Sequence, residues 1–305
     1  MKHSPRLLLL ASIGCACMVV SFGRADEETA TPSLDLAQAH ANETQEKVKP
    51  DIFYLPTPQK LVDVMLLMAE VKKDDLVYDL GSGDGRLVIT AAKTYGARGI
   101  GIEIDPALLT MARRKAAQAK VEDKVEFRQQ DLFKSDFKDA NVITLYLLDE
   151  LNRRLRPQLL AQVRPGTRIV SHAFHMGEWQ PDAERTLKIE GKSYDAYAWV
   201  VPANMSGRWK ITSSGKVKGL PQTLVIDQTF QQISVRGADG ETVIGAGRVS
   251  GTEFNLALSE AAGVKPSSFT ATVDGNRIKA TGPGRGATWE AEREPGTEKP
   301  LDPPT

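Results

Sequence analysis

The chain has 305 residues, with 39 basic and 39 acidic side chains. That length allows two domains of ordinary size, and the balanced charge argues against a general nucleic-acid surface. Both cysteines, Cys15 and Cys17, lie in the first 25 residues. Removal of that segment therefore excludes disulfides, cysteine nucleophiles and thiolate metal sites.

Lys2, His3 and Arg6 precede an apolar run from Leu7 to Phe22, followed by Gly23-Arg24-Ala25. A charged start, an apolar stretch and a small-x-small site form the pattern of a secretory signal peptide over residues 1–25. The run is shorter than the ~20 residues of a membrane-spanning helix. The expectation is an exported protein, periplasmic or secreted; the alternative is a chain anchored by an uncleaved N-terminal segment. Cleavage removes three basic residues and no acid, leaving a slight acidic excess. Residues 26–50, rich in Ala, Thr, Glu and Gln without an apolar period, read as a disordered linker.

Residues 51–203 alternate between helical and strand patterns. Leu61, Val62, Val64, Met65, Leu66 and Met68 mark a first helix. Strand 76–80, helix 86–95, strand 99–103, helix 106–120, strand 124–129, strand 141–148, helix 149–162 and strand 167–174 follow. Alternating β and α elements predict an α/β fold with a doubly wound, Rossmann-like parallel sheet. Segments 185–190 and 194–201 flank Gly191-Lys192-Ser193 and read as a terminal antiparallel hairpin.

Residues 206–293 change character. Strand-like runs fall at 209–213, 222–229, 231–236, 242–249, 252–258, 268–273, 276–281 and 287–292, with turn residues between them. Regular short strands predict a small all-β barrel or sandwich. Gly207-Arg208-Trp209 resembles the G-x-W opening of lipocalin-like barrels, and Arg293 resembles their closing arginine, which stacks on that tryptophan. Such a barrel holds an apolar ligand, or is filled and serves as a docking module, for example toward a membrane-associated partner. The proline-rich tail, 294–305, reads as disordered.

The most informative segment is Val77-Tyr78-Asp79-Leu80-Gly81-Ser82-Gly83-Asp84-Gly85-Arg86, a buried strand running into a glycine-rich turn and a helix. Glycines there let backbone N–H groups approach a ligand that a Cβ would block. Glu103 ends the next apolar strand, where a carboxylate can hold both ribose hydroxyls. The glycine spacing is G-x-G-x-G, unlike the dinucleotide fingerprint G-x-G-x-x-G, and no G-K-[ST] follows as in a P-loop.

This pattern is similar to the first motif of class I S-adenosylmethionine (SAM) methyltransferases. The resemblance implies SAM as cofactor, with Asp79, Gly81, Ser82, Gly83 and Gly85 around its methionine and ribose portions. Glu103 and Ile104 would take the ribose, and Asp131 and Leu132 would lie near the adenine. Asp131 also suits a helix N-cap.

Three segments are candidates for the acceptor side. Tyr54-Leu55-Pro56 precedes the first helix, Tyr146 leaves the fourth strand beside the switch point of the sheet, and His172 and His175 follow the fifth strand. The two histidines lack a third ligand at a recognisable spacing, so no metal site is expected. Together, Tyr54-Leu-Pro56, Asp79 to Arg86, Ile169-Val-Ser171 and Trp179-Gln-Pro181 resemble a small family of protein-lysine methyltransferases. Its eukaryotic members modify mitochondrial carriers and the ATP synthase c subunit, and lack the signal segment and the β domain.

The resemblance implies methyl transfer by in-line displacement to a protein lysine or a small amine, with Tyr54, Pro56 and Tyr146 as candidate catalytic residues. The contrasting reading is a non-catalytic protein that binds an adenosyl ligand, its β domain engaging an apolar ligand or a partner.

Overall fold

In a computed structural model, residues 54–215, 217, 219–259 and 266–302 are described. The expected signal peptide and linker lie outside the described residues. Leu61, Val62, Met65 and Leu66 recur at helical spacing and bury one face of α1 (Gln59–Met68). That face packs on a seven-stranded sheet of β1 (Leu76–Leu80), β2 (Arg98–Glu103), β3 (Val125–Gln129), β4 (Val142–Leu145), β5 (Arg168–His172), β6 (Ala183–Ile189) and β7 (Lys192–Val200).

The strand order is β3-β2-β1-β4-β5-β7-β6. β1 to β5 pair in parallel, and β7 and β6 add the antiparallel hairpin. β1 lies between β2 and β4, so the strand order reverses there, and the crevice at the strands' carboxyl ends is where such sheets bind ligands. Alternate β1 residues serve two cores. Val77 faces α1, α2 (Arg86–Thr90) and α3 (Pro106–Ala119). Tyr78 and Leu80 face Leu155 and Leu159 of α4 (Asp149–Gln162). Among the described residues, no helix is long and apolar enough to cross a membrane.

Two strands end earlier than expected. β4 stops at Leu145 because Leu148 already caps α4 in extended geometry. β5 stops at His172 because Ala173 takes a φ of 64°. The Phe174 N–H donates to the His172 carbonyl at 2.8 Å, a γ-type turn that ends the ladder.

The second domain is a closed antiparallel barrel of β8 (Gly207–Ser213), β9 (Thr223–Thr229), β10 (Gln232–Arg236), β11 (Val243–Ser250), β12 (Glu253–Leu258), β13 (Ser267–Asp274), β14 (Arg277–Thr281) and β15 (Thr288–Arg293). β15 pairs with β8, which removes the exposed edges an open sheet would leave. Phe254, Leu256, Leu258, Phe269, Val273, Ile278 and Trp289 alternate inward and form a buried cluster with Trp209. This is the filled interior expected of an eight-stranded barrel. The Arg293 guanidinium lies 4.6 Å from the Trp209 ring centroid, the stack expected from the sequence.

The tail departs from its expected disorder. Arg208 N donates to Thr297 Oγ1 at 3.0 Å, and Lys299 N to Ser206 Oγ at 2.8 Å. Leu301 is buried, and Asp302 accepts two hydrogen bonds from Arg156, at 2.8 and 2.9 Å. Proline content signals the absence of helix or strand. It does not preclude order when buried partners wait for the chain.

Candidate active site

β1 delivers Asp79 to the carboxyl edge, where it is almost fully buried. Thr144, its register partner on β4, donates to it from Oγ1 at 2.6 Å. Burial pushes the Asp79 carboxyl up to about 7, against the Thr144 hydrogen bond and with help from the negative charges of Glu103 and Asp84.

The glycine loop itself corrects one expectation. Gly81 N and Ser82 N both donate to the Ile102 carbonyl at 2.9 Å, and Gly85 N to the Ser82 carbonyl at 2.9 Å. Gly83 N donates to Glu103 Oε2 at 2.8 Å. Gly81, Ser82 and Gly83 thus direct their N–H groups to the end of β2, and Gly85 closes the turn onto Ser82. What the glycines provide is space. At Gly83, φ is 53° and a Cβ would sit 2.6 Å from Cε2 of Tyr54. At Gly85, φ is 76° and a Cβ would sit 2.5 Å from the Phe127 ring.

Glu103 is held by three N–H groups: Gly83 on Oε2, and Ile104 and Asp105 on Oε1 at 2.8 and 3.0 Å. Asp131 caps a short 3-10 turn by accepting from Phe133 N at 2.9 Å, with Leu132 packed beneath. Asp79, Glu103 and Asp131 thus stand at or just beyond the ends of three adjacent strands, β1, β2 and β3. Ser82 Oγ is buried without a partner among the described residues. A row of carboxylates beside a glycine cradle suits a cofactor that carries a ribose, an amine and a sulfonium charge.

The sequence reading missed a clamp around Asp84. Arg86 donates to Asp84 at 2.9 and 2.7 Å, and Lys115 donates to it as well. Burial alone would raise the Asp84 carboxyl, but these cationic donors hold it well below the usual carboxylate range. Arg86 also donates to the Thr57 carbonyl at 2.5 Å and to the Tyr54 hydroxyl at 3.5 Å. Burial, with Asp84 nearby, pushes the Tyr54 phenol up to about 12. Arg86 therefore fastens segment 54–57 over the glycine loop. The only sequence signal was an arginine two residues after an acid.

A second cluster lies at the end of β5. Thr57 Oγ1 and His172 Nδ1 share a hydrogen bond of 3.0 Å. The Tyr146 ring stacks on His172 with centroids 3.8 Å apart, and Phe174 and Tyr194 lie 6.1 and 6.0 Å from Tyr146 and His172. Burial pulls His172 down to about 4, so the imidazole is neutral at neutral pH. Burial likewise raises the Tyr146 phenol. His175 turns the other way, onto Tyr197 at 3.9 Å. The structure thus joins Tyr54, through Thr57, to the Tyr146–His172 wall. Pro56 is exposed between them.

The fold and this row of acids define a Rossmann-like, SAM-dependent methyltransferase. A family model described as the ANTKMT methyltransferase domain matches residues 79–183. A protein-lysine N-methyltransferase from Saccharolobus islandicus is 37% identical over 50% of this chain and 95% of its own length. The adenine nucleotide translocase lysine N-methyltransferase of Mus musculus is 28% identical over 56% of this chain and 71% of its own. A solved RNA methyltransferase from Salinibacter ruber, in complex with S-adenosyl-L-homocysteine, is 54% identical over 50% of this chain and 96% of its own, with a TM-score of 0.47. The chain belongs to the protein-lysine N-methyltransferase family of the Saccharolobus relative. The family is one of methyl-transferring enzymes, which favours turnover over the non-catalytic alternative. The barrel lies outside the residues matched by the family model.

Proposed function

We propose that this methyltransferase is exported and transfers a methyl group to a lysine ε-amine of a protein. The observation that carries the acceptor side is the Thr57–His172 hydrogen bond, which joins the segment over the glycine loop to the Tyr146 wall. The lysine-directed relatives support the acceptor class. The residues at 2–25 support export. Export implies that SAM reaches that compartment.

In this reading Asp79, Gly81, Ser82, Gly83, Gly85, Glu103, Ile104, Asp131 and Leu132 hold the cofactor, which supplies an electrophilic methyl on a sulfonium centre. Tyr54, Pro56 and Tyr146 line the approach of the amine, orient it and exclude water. The neutral His172 ring adds no positive charge to repel an arriving ammonium; the ammonium would lose its proton to solvent water, and the free amine would then take the methyl as the sulfonium S–C bond breaks and the neutral thioether leaves. The barrel's buried interior favours a docking module over an apolar-ligand binder, and the Arg293–Trp209 stack supports a lipocalin-like closure.

The test has two arms. Mass spectrometry of the native N-terminus is expected to find cleavage after Ala25; an intact N-terminus on protein retained in the cytoplasm overturns export. Labelled SAM with a fractionated extract is expected to mark lysine side chains; label confined to RNA or small amines overturns the acceptor.

A further inference from the structure

Residues 173–182 connect β5 to β6 and carry Phe174, which faces Tyr146. One face of α4 grips this loop at three successive turns. Asp149 Oδ1 accepts from His175 N at 2.8 Å. Asn152 Nδ2 donates to the carbonyls of Phe174 and His175 at 3.4 and 3.1 Å. Arg156 Nη1 donates to the Met176 carbonyl at 2.7 Å.

The barrel grips the same loop from another side. Phe230, in the turn between β9 and β10, stacks on Trp179 with centroids 5.8 Å apart and an interplanar angle of 13°. Gln231 Nε2 donates to the Gln180 carbonyl at 2.7 Å, and Arg248 pairs with Asp182.

Arg156 joins all of these parts. Its side chain is only 5% exposed, and it pairs with Glu178 at 2.8 Å and bidentately with Asp302 of the tail. Its guanidinium carbon lies 4.9 Å from the Phe230 ring centroid. Arginine's planar fork can make these contacts together, whereas a lysine ammonium cannot. The loop also stores strain. Ala173 holds a φ of 64° between His172 and Phe174, a conformation that persists only where the surroundings over-determine it.

We propose that the barrel and the C-terminal tail act through Arg156 as a buttress that fixes loop 173–182, making Arg156 a positioning residue for the acceptor side of the site. The inference rests on the reading of Tyr146 and His172 as that side. It gives the barrel a part in the reaction without a ligand of its own.

The test compares full-length wild type with Phe230→Ala, Asp302→Asn and Arg156→Lys. Hydrogen exchange is expected to quicken about tenfold at the amides of Phe174 and His175 in each variant, and to stay unchanged at Gly81 and Gly83. The SAM Kd is expected to hold within about twofold. With poly-L-lysine as acceptor, KM is expected to rise or kcat to fall about tenfold, and Arg156→Lys is not expected to rescue. Exchange that rises equally across the sheet, or a fall in Tm with unchanged exchange and kinetics, overturns the buttress. If wild type leaves poly-L-lysine unmodified, exchange alone decides the buttress, and the labelled extract decides the lysine reading.

Discussion

Thr57 Oγ1 lies 3.0 Å from Nδ1 of His172, across 115 residues of sequence. The bond ties the segment before the first helix to the end of β5 and closes one side of the aromatic wall. Thr57→Val keeps the shape and removes the hydroxyl that shares the hydrogen bond. It strands a buried imidazole nitrogen, at a cost of about 1–3 kcal/mol. The expected result is a lower Tm and a reduced kcat with an unchanged SAM Kd, read by calorimetry and initial rates.

Gly83 faces the Tyr54 ring, and its φ of 53° disfavours any side chain. Gly83→Ala is expected to push Tyr54 off the loop and to weaken SAM binding at least tenfold by calorimetry. Tyr54→Ala in the same background clears the clash and is expected to recover part of that loss. An unchanged Kd in Gly83→Ala would show that the loop yields without moving the ring.

Two buried groups titrate against each other. Asp79 is pushed from its ordinary 3.8 to about 7, so between those values the folded chain holds a proton that the unfolded chain has lost, and stability falls as pH rises. His172 is pulled from 6.5 to about 4, so between those values the unfolded chain holds the extra proton, and stability rises with pH. Between about pH 4 and 6.5 the two oppose. Asp79→Asn is expected to lose stability on acidification through that window, and His172→Phe to gain it. Denaturant melts of the two variants at pH 4.5 and 6.5 distinguish the signs. Asp79→Asn is also expected to weaken SAM binding.

Trp209 is fully buried in the barrel beneath the Arg293 guanidinium. Trp209→Ala is expected to cost about 3–5 kcal/mol, as aromatic truncations in cores do, and to unfold the barrel first. If the barrel buttresses the acceptor loop, methyl transfer falls with it while SAM affinity holds. Denaturant titration followed by fluorescence, beside SAM calorimetry, checks this.

The local pattern carried much of the architecture. Short apolar runs placed the strands of the parallel sheet, which is buried on both faces, and alternation placed those of the barrel, each to within a few residues. The Asp79 loop, Glu103 and Asp131 were legible because they follow strand ends at one βα unit each. The direction of the loop's N–H groups was not legible. It depends on the Ile102 carbonyl and the Glu103 side chain, which only the β1–β2 pairing brings near. The clamp of Asp84 by Lys115 and the grip of Asn152 on the Phe174 carbonyl were hidden for the same reason.

By itself the sequence determined the elements, their order, the glycine cradle and its acids, since each rests on residues close together in the chain. Only the tertiary structure decided that Thr57 meets His172, that Phe230 lies against Arg156, and that Asp302 is bound in place. Those contacts span 115, 74 and 146 residues. A pairing at that separation leaves no periodic mark, because it is selected by the packing of whole elements and the burial of their polar groups.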